Sequence, residues 1–521
     1  MESLKSFTSP LLTDFYQFTI SYAQWKQGRH LEPAVFDLFY RSQPFKGTFA
    51  FFGGLNEAIN FIKEFKIIDE HIAYLRANMP GIEEGFFESL KALDPTTLKV
   101  YAPKEGSVVF PREPLLRIEG PLILCQLIET PLLNCINFAT LMTTNASRLR
   151  ILSGKRLLME FGLRRAQGPD GAMTATRYSY MGGFDSTSNV LAGYKYGIPI
   201  AGTVAHSFIS SYHSPDLLKN TTIPHIETKE PIDLLFYAKK CISEMGFHTN
   251  QTELVSFVAQ AIAFPKNFLA LVDTYDTLTS GVPNFIAVAY GLHHAGYRAK
   301  GIRLDSGDLA VLSKEARSLY KLFSAKYGID YAANYGITAS NDINEKALLE
   351  FEEQGHEMTA FGIGTHLVTC QKQPALGGVY KLVEIDGKAR VKLSNDLIKV
   401  TLPGRKALFR LYDSNRKPIV DVLTLADEEL KPGTINLTEV FPSTSEMCIE
   451  FAYAEPMYDL VYDNGEVKVD DLKTARQRVL DAINGGFRDD VIKIIDPATY
   501  KVTISQALHD CFKQLVKEAH E

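Results

Sequence analysis

The chain is 521 residues long, 45% hydrophobic and 22% charged, a globular composition that excludes a disordered or fibrous protein. At about 150 residues per domain, this length predicts two or three domains. The net charge of −6 gives no global pull toward nucleic acid or an anionic membrane, so any phosphate-binding site must be local.

Thr13-Asp14-Phe15-Tyr16-Gln17-Phe18 reads as a helix start, with Thr13 or Asp14 as cap and Phe15, Phe18, Ile20 and Tyr22 supplying apolar surface. Val35 to Tyr40 alternates like a strand, and Asn56 to Ile62 begins a helix. Leu98 to Arg117, punctuated by Pro103, Gly106, Pro111 and Pro114, predicts short antiparallel strands joined by turns. Residues 1–148 are therefore expected to form an α+β domain whose many aromatic residues are core.

From about Leu149 the texture changes. Short apolar strands, each ending in polar or glycine residues and mostly followed by a helical stretch, are predicted at Leu157–Gly162, around Gly182–Phe184, and at Ile198–Val204, Phe268–Asp273, Ala299–Leu304, Tyr335–Ala339 and Thr359–Ile363. Leu309, Leu312, Ala316, Leu319, Tyr320 and Phe323 fall on one helical face after a Ser306 cap, with Asp308 in the first turn. Asp342 and Glu345 read as a capping box ahead of Ala347, Leu348 and Leu349. Repeated strand–helix units imply a parallel sheet, closed or nearly closed into an irregular α/β barrel over residues 149–370.

Beyond about Cys370 the alternation stops. Val379–Glu384, Val391–Leu393, Leu408–Tyr412 and Val420–Leu425 are strand-like, with Asp386-Gly387 and Asn464-Gly465 as hairpin turns. Leu472–Leu480 and Ser505–Ala519 are helical. Residues 371–521 are thus expected to be a β-rich and helical part that packs on the N-terminal domain.

Six cysteines are scattered with no C-x-x-C pair, which argues against a zinc site or a disulfide framework and for a reducing, cytoplasmic location. The opening MESLKSFTSPLLTDFYQF lacks the basic-then-apolar pattern of a secretion signal. The most apolar window, Pro121–Met142, is interrupted by Gln126, Glu129, Pro131, Asn134 and Asn137 and fails as a membrane span. Neither membrane nor nucleic acid is an expected partner.

Chemistry gathers at the strand ends. Arg164-Arg165 follows the first barrel strand, Thr203 and His206 the third, Asp273-Thr274-Tyr275-Asp276 the fourth, Arg303-Leu304-Asp305-Ser306-Gly307-Asp308 the fifth, and Gly362-Ile363-Gly364-Thr365 the last. In a barrel such ends converge on one face. Each has a plain alternative: a solvated arginine pair, a capping Asp-x-x-Asp, a Ser-Gly-Asp turn, a tight glycine connection. Together they suit a phosphosugar. Glycines let backbone N–H groups approach a phosphate, arginine forks suit diphosphate or carboxylate, and carboxylates bind ribose hydroxyls or Mg2+.

The segments FGLRRAQGPDGAMTATRYSYMGGFDSTSN, GTVAHSF, GIRLDSGDL, GIGT and QKQPALGGVYKLVE, with TDFYQ near the start, resemble those of the nicotinate phosphoribosyltransferases, in order from about Leu11 to beyond Arg410. The resemblance implies an irregular barrel of the type II phosphoribosyltransferase kind plus an α+β domain formed by both chain ends. It implies ATP-assisted transfer of phosphoribose from 5-phosphoribosyl 1-diphosphate to nicotinate, giving nicotinate mononucleotide in NAD salvage, with Mg2+ or Mn2+. It also implies a homodimer with a shared active site. By the same resemblance His206 matches the histidine that ATP phosphorylates, and Tyr16, Thr203 and Arg303 match nicotinate-binding positions, Tyr16 reaching in from the partner subunit. Thr365, Gly364, Gly362 and Arg164 match phosphoribosyl diphosphate positions, and Asp273 and Asp305 face the ribose and are candidate metal ligands. Asp276, Asp308 and Arg165 are further candidates. The alternatives are a nicotinamide phosphoribosyltransferase, another phosphosugar-binding barrel enzyme, or a barrel without activity.

Overall fold

The computed structural model describes residues 9–393, 399–440 and 445–519. The first eight residues, on which part of the secretion-signal reading falls, lie outside the described residues. The chain divides into two compact units, one of Met1–Ile151, Met181–Gly183 and Lys372–Glu521, the other of Leu152–Tyr180 and Phe184–Gln371.

In the first unit, Pro33–Tyr40 pairs antiparallel with both Leu116–Pro121 and Gly378–Ile385, so strands from both ends of the chain share one seven-stranded sheet. The Asp386-Gly387 and Asn464-Gly465 turns close hairpins with positive φ at all four residues, as two-residue turns between twisted strands require. A second sheet of six strands includes Lys406–Tyr412 and Pro418–Leu425. The apolar window around Pro121–Met142 becomes the helix Leu122–Leu127 and the start of the 25-residue helix Glu129–Ser153. No helix among the described residues is long and apolar enough to cross a membrane. Val391–Leu393 forms no strand: Lys392 bonds to Thr401, through the hydroxyl at 2.9 Å and the N–H at 3.3 Å, and no ladder develops.

The second unit is built on six parallel strands in the order Leu269–Leu271, Gly301–Leu304, Gly336–Ser340, Ala360–Ile363, Leu157–Glu160, Ser186–Thr187. Helices including Val282–His294, Leu309–Tyr327 and Glu345–Gln354 return the chain between successive strands. Covered on both faces, Ala360–Ile363 is buried at every residue, as parallel sheets with crossover helices require.

Four expectations shift. The hydrogen-bonded sheet is an open half-barrel, not a closed ring, with Leu269–Leu271 at one edge. Ile198–Val204 forms no strand beyond one bridge from Ile200 to Thr187: Pro199 lacks an N–H, and although Ile198 is buried, Ile200 is 61% exposed. The strand around Gly182–Phe184 lies later, at Ser186–Thr187. Two helix caps move by two residues: Asp308, not Ser306, accepts from Val311 N–H, and Asn344, not Asp342, accepts from Ala347 N–H.

Candidate active site

Because the strands are parallel, their C-terminal ends all open on one edge of the half-barrel. The register pairs Leu304 with Ala339, which brings Asp305 beside Ser340 on the neighbouring strand. There Arg303 Nε donates to Ser340 Oγ at 2.7 Å and Arg303 Nη2 to Asp305 Oδ1 at 2.8 Å, while the Ser340 hydroxyl donates to the same Asp305 oxygen. The Phe161 ring lies 5.3 Å from the Arg303 guanidinium carbon. Gly362 makes room for that ring, since a Cβ at Gly362 would sit 2.4 Å from its edge. A cavity of about 330 Å3 is lined by Phe161, Arg164, Ser188, Thr203, Ala205 and Arg303, among others.

His206 opens the short helix His206–Ser210 directly after Ala205. Its Nε2 is 3.0 Å from Asp273 Oδ1, and Asp273 Oδ2 accepts from Ser306 Oγ at 2.6 Å. The carboxylate side chain is 3% exposed and the imidazole 45%, so a fixed, buried acid orients a ring that solvent and substrate can reach. Ser306 therefore serves Asp273, which is why it does not cap the following helix.

Asp276 and Asp308 are capping residues. Asp276 accepts from Leu278 and Thr279 N–H, and these bonds hold its carboxyl below its ordinary range. Arg164 and Arg165 form an exposed turn, with Arg164 on the cavity wall. Gly364 precedes Thr365 at the start of a helix of only 5 residues, so backbone N–H groups there matter more than a helix dipole. Tyr16 belongs to the other unit, on the helix Phe15–Lys26, where it is 45% exposed and donates to Glu129 at 3.1 Å.

Three carboxylate and hydroxyl positions escape a reading of the sequence. Glu160 is buried at the end of its strand and accepts from Thr176 and Thr187; a charge inside an apolar strand was the available signal. Glu253 is fully buried and accepts from Ser280 at 2.5 Å and Asn284 at 2.9 Å. Burial above all, with Asp273 and Asp276 adding to it, pushes its pKa up to about 7. Its Asn250-x-x-Glu253 spacing reads as a simple capping pattern and hides this. Ser340 stands one residue past a predicted strand, where polar strand-end residues are worth noting.

Residues 11–137 match the nicotinate phosphoribosyltransferase N-terminal domain and residues 405–512 its C-terminal domain. The chain is 47% identical to a nicotinate phosphoribosyltransferase of Dictyostelium discoideum, covering 99% of this chain and 89% of the relative. It is 41% identical to the human protein of that name, covering 96% and 95%. The crystal structure of human nicotinic acid phosphoribosyltransferase superimposes with a TM-score of 0.86 at 37% identity, covering 96% of this chain and 99% of that one. A nicotinate-nucleotide pyrophosphorylase structure from Pyrococcus furiosus shares the fold at a TM-score of 0.60 and 20% identity, covering 91% of this chain and 95% of that one. Near-complete coverage at this identity, with both terminal domains matched, places the chain in the nicotinate phosphoribosyltransferase family.

Proposed function

We propose that this enzyme transfers phosphoribose from 5-phosphoribosyl 1-diphosphate to nicotinate, giving nicotinate mononucleotide and diphosphate in NAD salvage, with ATP phosphorylating His206. The observation that carries the reading is the single cavity in which Phe161, Thr203 and Arg303 meet, with His206 following Thr203 on the same segment and paired there with Asp273. An aromatic face and an arginine fork suit a pyridine ring that bears a carboxylate.

The pyridine nitrogen attacks C1 of the ribose. The new C1–N bond forms as the C1–O bond to diphosphate breaks, and the electron pair leaves with diphosphate through a cationic, oxocarbenium-like sugar. Positioning and fixed charge do the work here. Arg303 orients the acceptor, Arg164 and the backbone N–H groups around Gly364 and Thr365 hold phosphate oxygens, and Asp305 faces the ribose. A phosphoryl group on His206 adds charge and acceptor oxygens beside the cavity.

Among the described residues no cluster of three or more His, Cys, Asp or Glu could cage a metal. Both oxygens of Asp273 are engaged, and Asp305 Oδ1 already takes Arg303 and Ser340. Such a donor set suits Mg2+ or Mn2+ carried in on the diphosphate, with Asp305 as the protein ligand. When bound, the ion supplies charge neutralisation to the departing diphosphate.

The fuller assembly we propose is the type II phosphoribosyltransferase barrel over residues 149–370, flanked by 1–148 and 371–521, in a cytoplasmic homodimer. Support comes from the half-barrel sheet and from six scattered cysteines with no C-x-x-C pair, suited to a reducing compartment. Phe15 and Tyr16 are exposed, as a nicotinate site completed by Tyr16 of the partner subunit requires.

The test is mononucleotide formation from phosphoribosyl diphosphate and Mg2+ with nicotinate or nicotinamide, each with and without ATP. Nicotinate-dependent product stimulated by ATP supports the reading. Product from nicotinamide alone moves the chain to the nicotinamide-using branch, and product indifferent to ATP removes the phosphohistidine.

A further inference from the structure

We propose that Ser340 is a positioning residue that sets substrate specificity: it fixes the rotation of the Arg303 guanidinium so that its outer edge meets the planar carboxylate of nicotinate. The inference rests on Arg303 being the residue that holds that carboxylate.

A guanidinium offers five N–H groups in a rigid planar fork. In Arg303 the Nε–H goes to Ser340 and one Nη2–H to Asp305. One whole edge of the fork is therefore tied down. The outer edge, formed by Nη1 and the second Nη2–H, remains for a ligand in the cavity that Arg303 lines. Two parallel N–H groups at that edge match the two oxygens of a carboxylate, and an amide offers only one acceptor.

Asp305 alone would not give this arrangement. A carboxylate left to itself beside arginine closes on Nε and Nη2 together in the stronger bidentate geometry. Here the Ser340 hydroxyl stands between them: it accepts from Nε and donates its own hydrogen bond to Asp305 Oδ1. Asp305 thus holds the fork at one point instead of two. The three groups are a closed ring of hydrogen bonds around largely buried atoms, with Arg303 16%, Asp305 25% and Ser340 4% exposed. With the hydroxyl in place, neither Arg303 nor Asp305 can relax far.

The parallel register is what delivers Ser340 to this place. Leu304 pairs with Ala339, so the next residues, Asp305 and Ser340, leave adjacent strands side by side. On its far side Ser340 faces Gly362, where a Cβ would approach the serine Cβ to 3.4 Å.

Removing the hydroxyl should let Asp305 take both Nε and Nη2, rotate the fork and weaken its grip on the ligand. The experiment is initial-rate kinetics for wild type, S340A, S340C and S340T with nicotinate, nicotinamide and phosphoribosyl diphosphate varied in turn. Loss of one hydrogen bond to a charged group predicts a rise in KM for nicotinate of about tenfold in S340A and S340C. The preference for nicotinate over nicotinamide shrinks by the same factor, and kcat changes less than the KM for nicotinate. S340T keeps the hydroxyl and restores both values. An unchanged nicotinate KM in S340C, or a loss confined to kcat, overturns the proposal; S340C keeps the serine's shape and decides the matter if S340A fails to fold. Failure of the underlying reading shows separately, as an R303L variant that still prefers nicotinate.

Discussion

His206 Nε2 lies 3.0 Å from Asp273 Oδ1, and this one contact decides which ring nitrogen is chemically open. The carboxylate holds the Nε2 proton, so the lone pair sits on Nδ1. The phosphoryl group is therefore expected on Nδ1, which the phosphorus resonance of the phosphorylated protein reads directly; a resonance from an Nε2 adduct contradicts the assignment. His206→Ala should keep slow transfer and lose all stimulation by ATP. Asp273→Asn should cut the rate of phosphorylation by about 10²- to 10⁴-fold, the usual weight of a positioned acid–base partner.

Arg303→Leu tests acceptor choice. Removing one partner of a largely buried arginine–carboxylate pair costs roughly 3 to 5 kcal/mol. That converts to on the order of 10²- to 10³-fold in kcat/KM for nicotinate relative to nicotinamide. Competition kinetics with both acceptors measures the ratio, and a ratio equal to wild type removes Arg303 from the acceptor site.

Glu253 makes stability depend on pH. Burial raises its pKa from an ordinary 4.5 to about 7. The unfolded chain therefore releases this proton first, and the stabilising contribution of the protonated form, complete below pH 4.5, is lost as pH rises to about 7. The loss is on the order of 3 kcal/mol across that window. In Glu253→Gln the titrating proton is gone, so its unfolding midpoint should gain on wild type from pH 5 to pH 7. Parallel curves for the two proteins would mean that Glu253 does not titrate there.

Gly281 lets the helix Val282–His294 begin tight against Val272, the residue that follows the strand Leu269–Leu271. A Cβ on Gly281 would lie 1.9 Å from the Val272 carbonyl oxygen. Gly281→Ala must therefore shift backbone just before Asp273, at a cost of about 1–3 kcal/mol by the usual scale of overpacking. Thermal unfolding and ATP-stimulated activity should both fall, the activity further because Asp273 moves relative to His206. Wild-type activity in this variant would show that the strand end is more pliant than its packing implies.

Local pattern was enough to read much of this chain. Alternation over Val35–Tyr40 located the strand Pro33–Tyr40, short apolar runs located most of the parallel strands, Asp386-Gly387 and Asn464-Gly465 announced their hairpins, and one apolar face marked Leu309–Tyr327. Those signals sit within a few residues of each other and depend on backbone geometry alone. Motif order was equally legible, and it identified the family. Caps were less so: Ser306 and Asp308 are both good capping residues, and the choice fell to Asp308 because Asp273, 33 residues away in sequence, takes the Ser306 hydroxyl. Ile198–Val204 has the hydrophobicity of a strand, yet Pro199 withholds an N–H and pairing stops at one bridge to Thr187.

The finer roles were decided only in three dimensions. Whether Asp273, Asp276, Asp305 or Asp308 holds a histidine, a helix end or an arginine depends on which donors the fold brings within 3 Å, and four similar carboxylates carry no local mark of the difference. Ser340 reaches Arg303 through strand register, and Glu253 acquires its raised pKa from burial beside Ser280 and Asn284. Residue type and spacing determined what chemistry the chain can perform, because those are properties of short segments. Which residue performs each part was settled by long-range packing, because desolvation and hydrogen-bond partnership exist only once distant segments meet.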